Sequence, residues 1–328
     1  MNIVLLSGGS GKRLWPLSDD VKSKQFLKLL KNESGDYESM IQRIHRQIKE
    51  SGVIVKNIIV AANEKQKDLI HEQIGYDVDI VTEPERRNTF PAIMLSCAYL
   101  ALEKKCSDYE VVIVMPVDPY VEIDYFTTFI RMYDSVKLNS SELVLMGIKP
   151  TYPSEKYGYI VPALGEIDEP KKVASFKEKP SVEAATELIR AGAMWNGGVF
   201  AFKLGFALTY IKDYKAACSY KDIYSSYSKF SKNSFDYEVV EKCASISVVS
   251  YEGIWKDLGT WNILTEEMNE NAIGNVTKDE ETHNTHIINE LEIPIVALGL
   301  KDVVIVAGEN GILISKKSKS ENLKKHVT

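Results

Sequence analysis

The chain has 328 residues, 45% hydrophobic and 26% charged, which is ordinary usage for a folded globular protein. That excludes disorder, collagen-like repeats and coiled coil. At roughly 150 residues per domain it implies about two domains, or one large domain with an appendage. The net charge is 40 − 46 = −6. The chain is therefore no general binder of nucleic acid or anionic membrane, and an anion must meet a local basic cluster.

The chain opens on an apolar run, Ile3–Leu6, without a basic segment before it, so it does not read as a signal peptide. Further Val-, Ile- and Leu-rich runs follow at Ile58–Ala61, Val78–Val81, Val111–Met115 and Leu143–Gly147. They lack clean alternation, as strands buried on both faces of a parallel sheet do. Helical patterns lie between them at Ser39–Glu50, Glu64–Ile74 and Pro91–Lys105, the third with Asn88 or Thr89 as N-cap and Pro91 in its first turn. The alternation predicts a doubly wound α/β sheet. The apolar stretch Ala92–Leu102 stops at Glu103-Lys104-Lys105, too short for a bilayer.

After about residue 150 shorter strands are expected at Tyr159–Pro162, Val173–Glu178, Gly198–Phe202 and Ser245–Ser250, with helices at Val182–Ala191 and Phe206–Lys215. They extend the same domain. Ile293–Leu298, Val303–Val306 and Gly311–Ile314 are short strands between turn residues, so a small β-rich part follows. We expect a first domain over residues 1–268 and a second over 269–328. The basic tail from Lys316 onward reads as a solvated terminal helix. Cys97, Cys106, Cys218 and Cys243 form no C-x-x-C pair, which fits a reducing, cytoplasmic compartment better than a zinc site or disulfide framework. The five histidines lie outside the chemical motifs below, with His283 and His286 expected at the surface.

The strongest local signal is SGGSGKRLWPLS, residues 7–18, directly after the first strand. It is not the dinucleotide fingerprint, because Leu14 stands where the third glycine belongs. It is not a P-loop either, because Leu6 and Arg13 replace the first Gly and the Ser or Thr. Gly8, Gly9 and Gly11 still let backbone N–H groups approach an anion. Lys12 and Arg13 add two cations, and Lys24 follows in KSKQFLKL. That is a phosphate cradle. Trp15-Pro16-Leu17 reads as its apolar anchor.

SGGSGKRLWPLS followed by KQFLKL resembles the nucleotide-sugar pyrophosphorylases, the sugar-1-phosphate nucleotidyltransferases, and among them the mannose-1-phosphate guanylyltransferases. EPERRNTFPAI (83–93), GIKPTYPSEKYGYI (147–160), FKEKP (176–180), WNGGVF (195–200), DYEVVEK (236–242) and WKDLGTW (255–261) continue the resemblance in the family's order over nearly the whole chain. Ser23 replaces a usual Pro. In MPVDPY, Asp118 is kept and Pro119 replaces a usual His.

The resemblance implies a Rossmann-like doubly wound mixed sheet of the nucleotide-diphospho-sugar transferase type, with a small β-rich C-terminal appendage. It implies transfer of a nucleotidyl group, GMP from GTP, to a sugar 1-phosphate, α-D-mannose 1-phosphate first, with Mg²⁺. A manno-heptose phosphate or another nucleoside triphosphate are alternatives. A non-catalytic regulatory subunit is an alternative of another class, and an oxidoreductase is disfavoured by the missing third glycine. Gly8, Gly9, Gly11, Lys12, Arg13, Arg87, Asn88 and Thr89 would bind the nucleotide. Arg13, Lys24 and Lys179 would be catalytic. Gly158, Glu178, Lys179 and Asn196 would hold the sugar phosphate, and Asp118 and Asp257 the metal. A homodimer, without nucleic-acid or membrane partners, is expected. A fused isomerase domain, found in some such enzymes, is not expected here.

Overall fold

A computed structural model describes residues 1–9, 11–138, 141–163, 165, 169–212 and 214–327; the side chains of residues 12 and 215 are outside it. β1 (Asn2–Leu6) runs into the glycine-rich loop. A small hairpin, β2 (Leu30–Lys31) and β3 (Tyr37–Glu38), precedes α1 (Met40–Glu50). α1 starts where its sequence dictates. Ser39 Oγ accepts from the Gln42 N–H and the Gln42 side chain accepts from the Ser39 N–H, a reciprocal cap. Then come β4 (Asn57–Asn63), α2 (Lys67–Ile74), β5 (Asp79–Glu83), α3 (Thr89–Leu102), β6 (Val111–Pro116), the short β7 (Pro119–Val121), α4 (Thr127–Lys137) and β8 (Leu143–Ile148).

The second half adds β9 (Tyr159–Pro162), β10 (Lys171–Lys177), α5 (Val182–Arg190), β11 (Met194–Lys203), α6 (Leu204–Leu208), α7 (Tyr220–Ser225), α8 (Phe235–Glu238), β12 (Ile246–Tyr251), β13 (Trp255–Asp257) and α9 (Trp261–Glu267). The nine-stranded main sheet has the order β5-β4-β1-β6-β11-β8-β12-β10-β9. β4, β5, β1 and β6 are parallel, as expected for the first half. β11 enters antiparallel between β6 and β8, which makes the sheet mixed.

The unbroken apolar runs have a simple cause. Successive side chains of a strand face opposite sides. Ile3 and Leu5 pack on the layer that holds α1, α2 and α4, whereas Val4 packs on the layer that holds α3. Val111, Ile113 and Met115 divide from Val112 and Val114 in the same way. Both faces are covered, so neither needs a polar residue.

The last part is β-rich, as expected: β14 (Ala272–Ile273), β15 (Val276–Lys278), β16 (His286–Asn289), β17 (Ile295–Ala297), β18 (Val303–Gly308) and β19 (Gly311–Lys316). β14-β16-β18-β19 form one small sheet, and β15 pairs with β17. This sheet shares a core with the first residues of the chain: Leu14, Leu17, Trp261, Val304, Val306 and Leu313 belong to one buried cluster.

Three expectations are corrected. The helix over Phe206–Lys215 is only Leu204–Leu208, followed by a 3-10 turn at Tyr214–Ala216. His286 is buried on β16, where burial first, then Lys317 and Lys278, lower its pKa to about 4; His283 is exposed. The basic tail is a 3-10 helix, Lys317–Lys325, that buries Lys317, Ser320 and Leu323 instead of standing in solvent. Among the described residues no helix is long and apolar enough to cross a membrane.

Gly274 has φ +85, and a Cβ there would lie 2.0 Å from the Asn289 carbonyl oxygen. Gly274→Ala should therefore destabilise the fold by at least about 2 kcal/mol. A thermal melt matching the unmodified protein would contradict this packing of the C-terminal sheet.

Candidate active site

The C-terminal ends of parallel strands are where open α/β sheets bind ligands. Here the ends of β1 and β6 lead into the glycine loop and into Asp118. Asp118 stands between β6 and β7. β7 pairs antiparallel with β13, in the register Asp257↔Pro119, Lys256↔Tyr120, Trp255↔Val121. That ladder carries Asp257 to the neighbourhood of Asp118, although the two are 139 positions apart in sequence. Pro119 fits because it is the first residue of its strand and need not donate to the ladder.

Lys24 joins the two carboxylates. Its Nζ lies 2.8 Å from Asp118 Oδ2 and 2.9 Å from Asp257 Oδ1, with its side chain 16% exposed. Burial disfavours the ammonium, but the charges of Asp118 and Asp257 and their hydrogen bonds outweigh it and raise its pKa. Burial also opposes charge on Asp118, yet Lys24, and more weakly Arg13, hold its carboxyl below the usual range. Lys24 is placed by a 3-10 turn, Lys24–Phe26, closed where Phe26 N–H donates to Ser23 O at 3.0 Å. The Ser23 hydroxyl accepts from Gln66 Nε2 at 2.9 Å, so this residue ties the turn to the segment after β4.

Arg13 reaches the same place. A Cβ on Gly259 would lie 3.2 Å from Arg13 Nη1 and 3.0 Å from Asp257 Oδ1. Glycine thus leaves room for guanidinium and carboxylate together. The loop's upstream end is fixed at Ser7, whose N–H donates to Ala61 O at 2.9 Å and whose carbonyl accepts from buried Gln25 at 2.6 Å. At Gly8 and Gly9 an added Cβ would meet nothing within 4 Å. Gly11 lies in the 3-10 turn Gly11–Leu14. The Lys12 side chain, expected to bind phosphate, lies outside the described residues.

A second polar centre forms from Gly158, Glu178, Lys179, Asn196 and Asp236. A Cβ on Gly158 would lie 2.5 Å from Glu178 Oε2. The Asn196 N–H donates to Gly158 O at 2.8 Å, and Asn196 Nδ2 donates to Asp236 Oδ1 at 2.6 Å. Lys179, at φ +44, pairs with Glu178. Burial, then the Glu178 charge, push the Asp236 carboxyl up to about 6, against the Asn196 hydrogen bond and the Lys179 charge. Asp236 was not among the residues singled out from the sequence, although it opens DYEVVEK. An acid in a charged stretch carries no local sign of burial.

The two centres adjoin. β11 shifts register between Asn196 and Phe200, and a Cβ on Gly198 would lie 3.8 Å from Pro116, at the end of β6. An aromatic cluster spans the gap. Tyr157 packs on Trp195 at 4.9 Å and on Trp255 at 5.3 Å between ring centroids. Burial raises the Tyr157 phenol's pKa, and the charges of Asp257 and Asp118 reach it too.

Arg87, Asn88 and Thr89 stand at the start of α3. Arg87 pairs with Glu85 and donates to Phe230 O at 3.1 Å. Asn88 Oδ1 caps α3 by accepting from Thr89 N at 2.9 Å. Thr89 Oγ1 accepts from Phe235 N at 2.9 Å. Their polar contacts hold residues 230–235, and with them the start of α8 and Asp236. It is Arg86 that reaches back toward the first loop, to Asp20.

Among the described residues no three His, Cys, Asp or Glu side chains converge as metal ligands do. Asp118 and Asp257 form a pair of hard oxygen donors only, which suits an ion that completes its shell with substrate oxygens and water. The arrangement as a whole offers cations and carboxylates around an open glycine loop.

Comparison with known proteins agrees with this chemistry. Residues 2–272 match the family model described as nucleotidyl transferase. The chain is 31% identical to a mannose-1-phosphate guanylyltransferase of Escherichia coli, over 99% of this chain and 74% of that protein. It is 30% identical to the alginate biosynthesis protein AlgA of Pseudomonas putida, over 99% of this chain and 70% of that one. A crystal structure from Thermus thermophilus, described as a mannose-1-phosphate geranyltransferase, superimposes with a TM-score of 0.80 at 25% identity, over 99% of this chain and 97% of that one. The chain belongs to the nucleotidyl transferase family and is an enzyme of that class.

Proposed function

We propose that the enzyme transfers GMP from GTP to α-D-mannose 1-phosphate, releasing pyrophosphate and forming GDP-mannose. The observation that carries the reading is the meeting of Lys24, Asp118, Asp257 and Arg13 beside the glycine loop. The name of the Escherichia coli relative supports guanine and mannose as the pair. A phosphate oxygen of the sugar phosphate attacks the α-phosphorus in line. One P–O bond forms, the bond to the β-phosphate oxygen breaks, and pyrophosphate leaves with that electron pair.

The attacking oxygen is already anionic, so the step needs no general base. Its obstacle is the meeting of two polyanions. At about 4 Å each like-charge pair costs on the order of 4 kcal/mol at an effective dielectric near 20. Fixed cations and positioning therefore carry most of the catalysis. Arg13 and Lys12 would face the triphosphate, and open space at Gly8 and Gly9 would admit its oxygens to the backbone. Lys179 would pair with the sugar phosphate, while Glu178, Asn196 and Asp236 would accept from or donate to sugar hydroxyls. Asp118 and Asp257 would hold Mg²⁺, which supplies charge neutralisation at the phosphate oxygens. Lys24 already contacts both carboxylates and would have to share them with such an ion.

We also read the enzyme as a cytoplasmic homodimer. The free cysteines support the compartment. Exposed Ile293, Val296, Leu298, Ile312 and Ile314 on the C-terminal part support self-association.

The deciding experiment crosses four nucleoside triphosphates with several sugar 1-phosphates and reads released pyrophosphate. GTP with mannose 1-phosphate should give the highest kcat/KM. No product with any pair would favour a binding subunit instead.

Asp118→Asn and Asp257→Asn should each lower turnover at least about a hundredfold with little change in melting temperature. Near-normal turnover in both would remove them from the reaction.

Asp236 adds a pH signature. Between about pH 4 and 6 the unfolded chain has lost this proton while the fold retains it. The folded state then binds more protons, so this group's contribution to stability falls as pH rises through that window. Urea melts of Asp236→Asn should show a shallower decline between pH 4 and 6 than the unmodified protein. Parallel curves would contradict the raised pKa.

A further inference from the structure

The glycine loop has two ends, and they are held by different parts of the molecule. Its upstream end at Ser7 is held by β4 and Gln25. Its downstream end, Leu14 to Leu17, directly continues Arg13 and is held by the C-terminal part. The turn between β18 and β19, Gly308 to Gly311, closes on it. Asn310 Nδ2 donates to Pro16 O at 3.1 Å, and Trp261 Nε1 donates to Trp15 O at 3.0 Å. A Cβ on Gly311, at φ +140, would lie 2.6 Å from the Trp15 ring, and one on Gly308 would lie 2.7 Å from Leu17 Cδ2. Two consecutive carbonyls and two side chains of the loop's anchor are therefore gripped by residues roughly 250 to 300 positions away.

We infer that the β18–β19 turn belongs to the triphosphate site, with Asn310 as a positioning residue that sets Arg13 through the Pro16 carbonyl. This rests on the assignment of the glycine loop to the triphosphate. The geometry explains why both glycines face the anchor: any side chain there would push Trp15 or Leu17, and the strain would pass directly to Arg13. It also separates this contact from general adhesion of the small sheet, which rests on Val304, Val306 and Leu313 in the shared core. Among the described residues no hydrogen bond or ion pair links this contact to Glu178, Lys179, Asn196 or Asp236, so its influence should fall on one substrate only.

Steady-state kinetics of Asn310→Ala, Asn310→Asp and Arg13→Ala test this, with thermal melts alongside. Asp matches Asn in size but lacks the donating amide, and it stands in should the Ala variant fold poorly. Both Asn310 variants should raise KM for the nucleoside triphosphate about three- to tenfold, the equivalent of one lost hydrogen bond. KM for the sugar 1-phosphate and the melting temperature should stay near those of the unmodified protein, and Asn310→Gln should recover part of the loss. If Arg13→Ala weakens triphosphate use while both Asn310 variants behave normally, the positioning role is overturned. The same holds if both substrates' KM values rise together. If Arg13→Ala leaves triphosphate use unchanged, the loop assignment itself fails, and this inference with it.

Discussion

One ammonium shared by two carboxylates organises the candidate site. Asp118 and Asp257 are both half-buried, and two such acids side by side repel each other and resist the loss of water. Lys24 offsets both effects from a point within hydrogen-bond reach of each. The geometry depends on the pairing of β7 with β13. Side chains alternate across a strand, so a slip of one residue would turn Asp257 to the opposite face. The three-residue ladder is too short to hold itself. Leu258 and Trp261, buried just beyond it, anchor that register in the same core as Leu14 and Leu17.

The second constraint is the antiparallel entry of β11 into a parallel sheet. It brings the Asn196–Gly198 irregularity beside the end of β6 and so joins the two polar centres. Tyr157, Trp195 and Trp255 fill the space between them. Each is adjacent, or nearly so, in sequence to a residue of one centre: Gly158, Asn196 and Asp257. The ring packing thus helps to set the spacing of the centres. Tyr159, wholly buried, supports the floor: its hydroxyl receives Trp195 Nε1 at 3.0 Å and donates to Ser154 O at 3.0 Å.

Much of the first half was legible because its strands are apolar on both faces and its helices carry plain start signals, such as Ser39 and Asn88. The short strands were not. β7 and β13 have three residues each, too few for a period, and their pairing is decided by tertiary contacts. α4 had a usable signal that went unread: Phe129, Met132 and Val136 recur at helical spacing and are all buried. α6 stops early, although the apolar pattern around Phe206 continues past Leu208. Of the site, the glycine loop and its cations stood out from residue type alone, whereas Asp118, Asp257, Glu178 and Asn196 were found through resemblance. Arg87 and Thr89 came by the same route. Their polar contacts support the segment that carries Asp236, the acid that went unnoticed.

The glycines distinguish what the protein needs for itself from what it offers outward. Gly158 and Gly259 face the molecule's own carboxylates, at distances where a methyl group would displace Glu178 or crowd Asp257. Gly308 and Gly311 face the loop's anchor in the same way. Internal packing accounts for all four. Gly8 and Gly9 have open space where a Cβ would stand, and neither has a positive φ. Neither sterics nor backbone conformation within the chain explains a glycine there. What a bare backbone adds at such a point is access: an anion can approach the N–H groups without meeting a side chain. The loop is thus smallest where the protein itself makes no demand, directly before the turn that delivers Arg13 to the carboxylate pair.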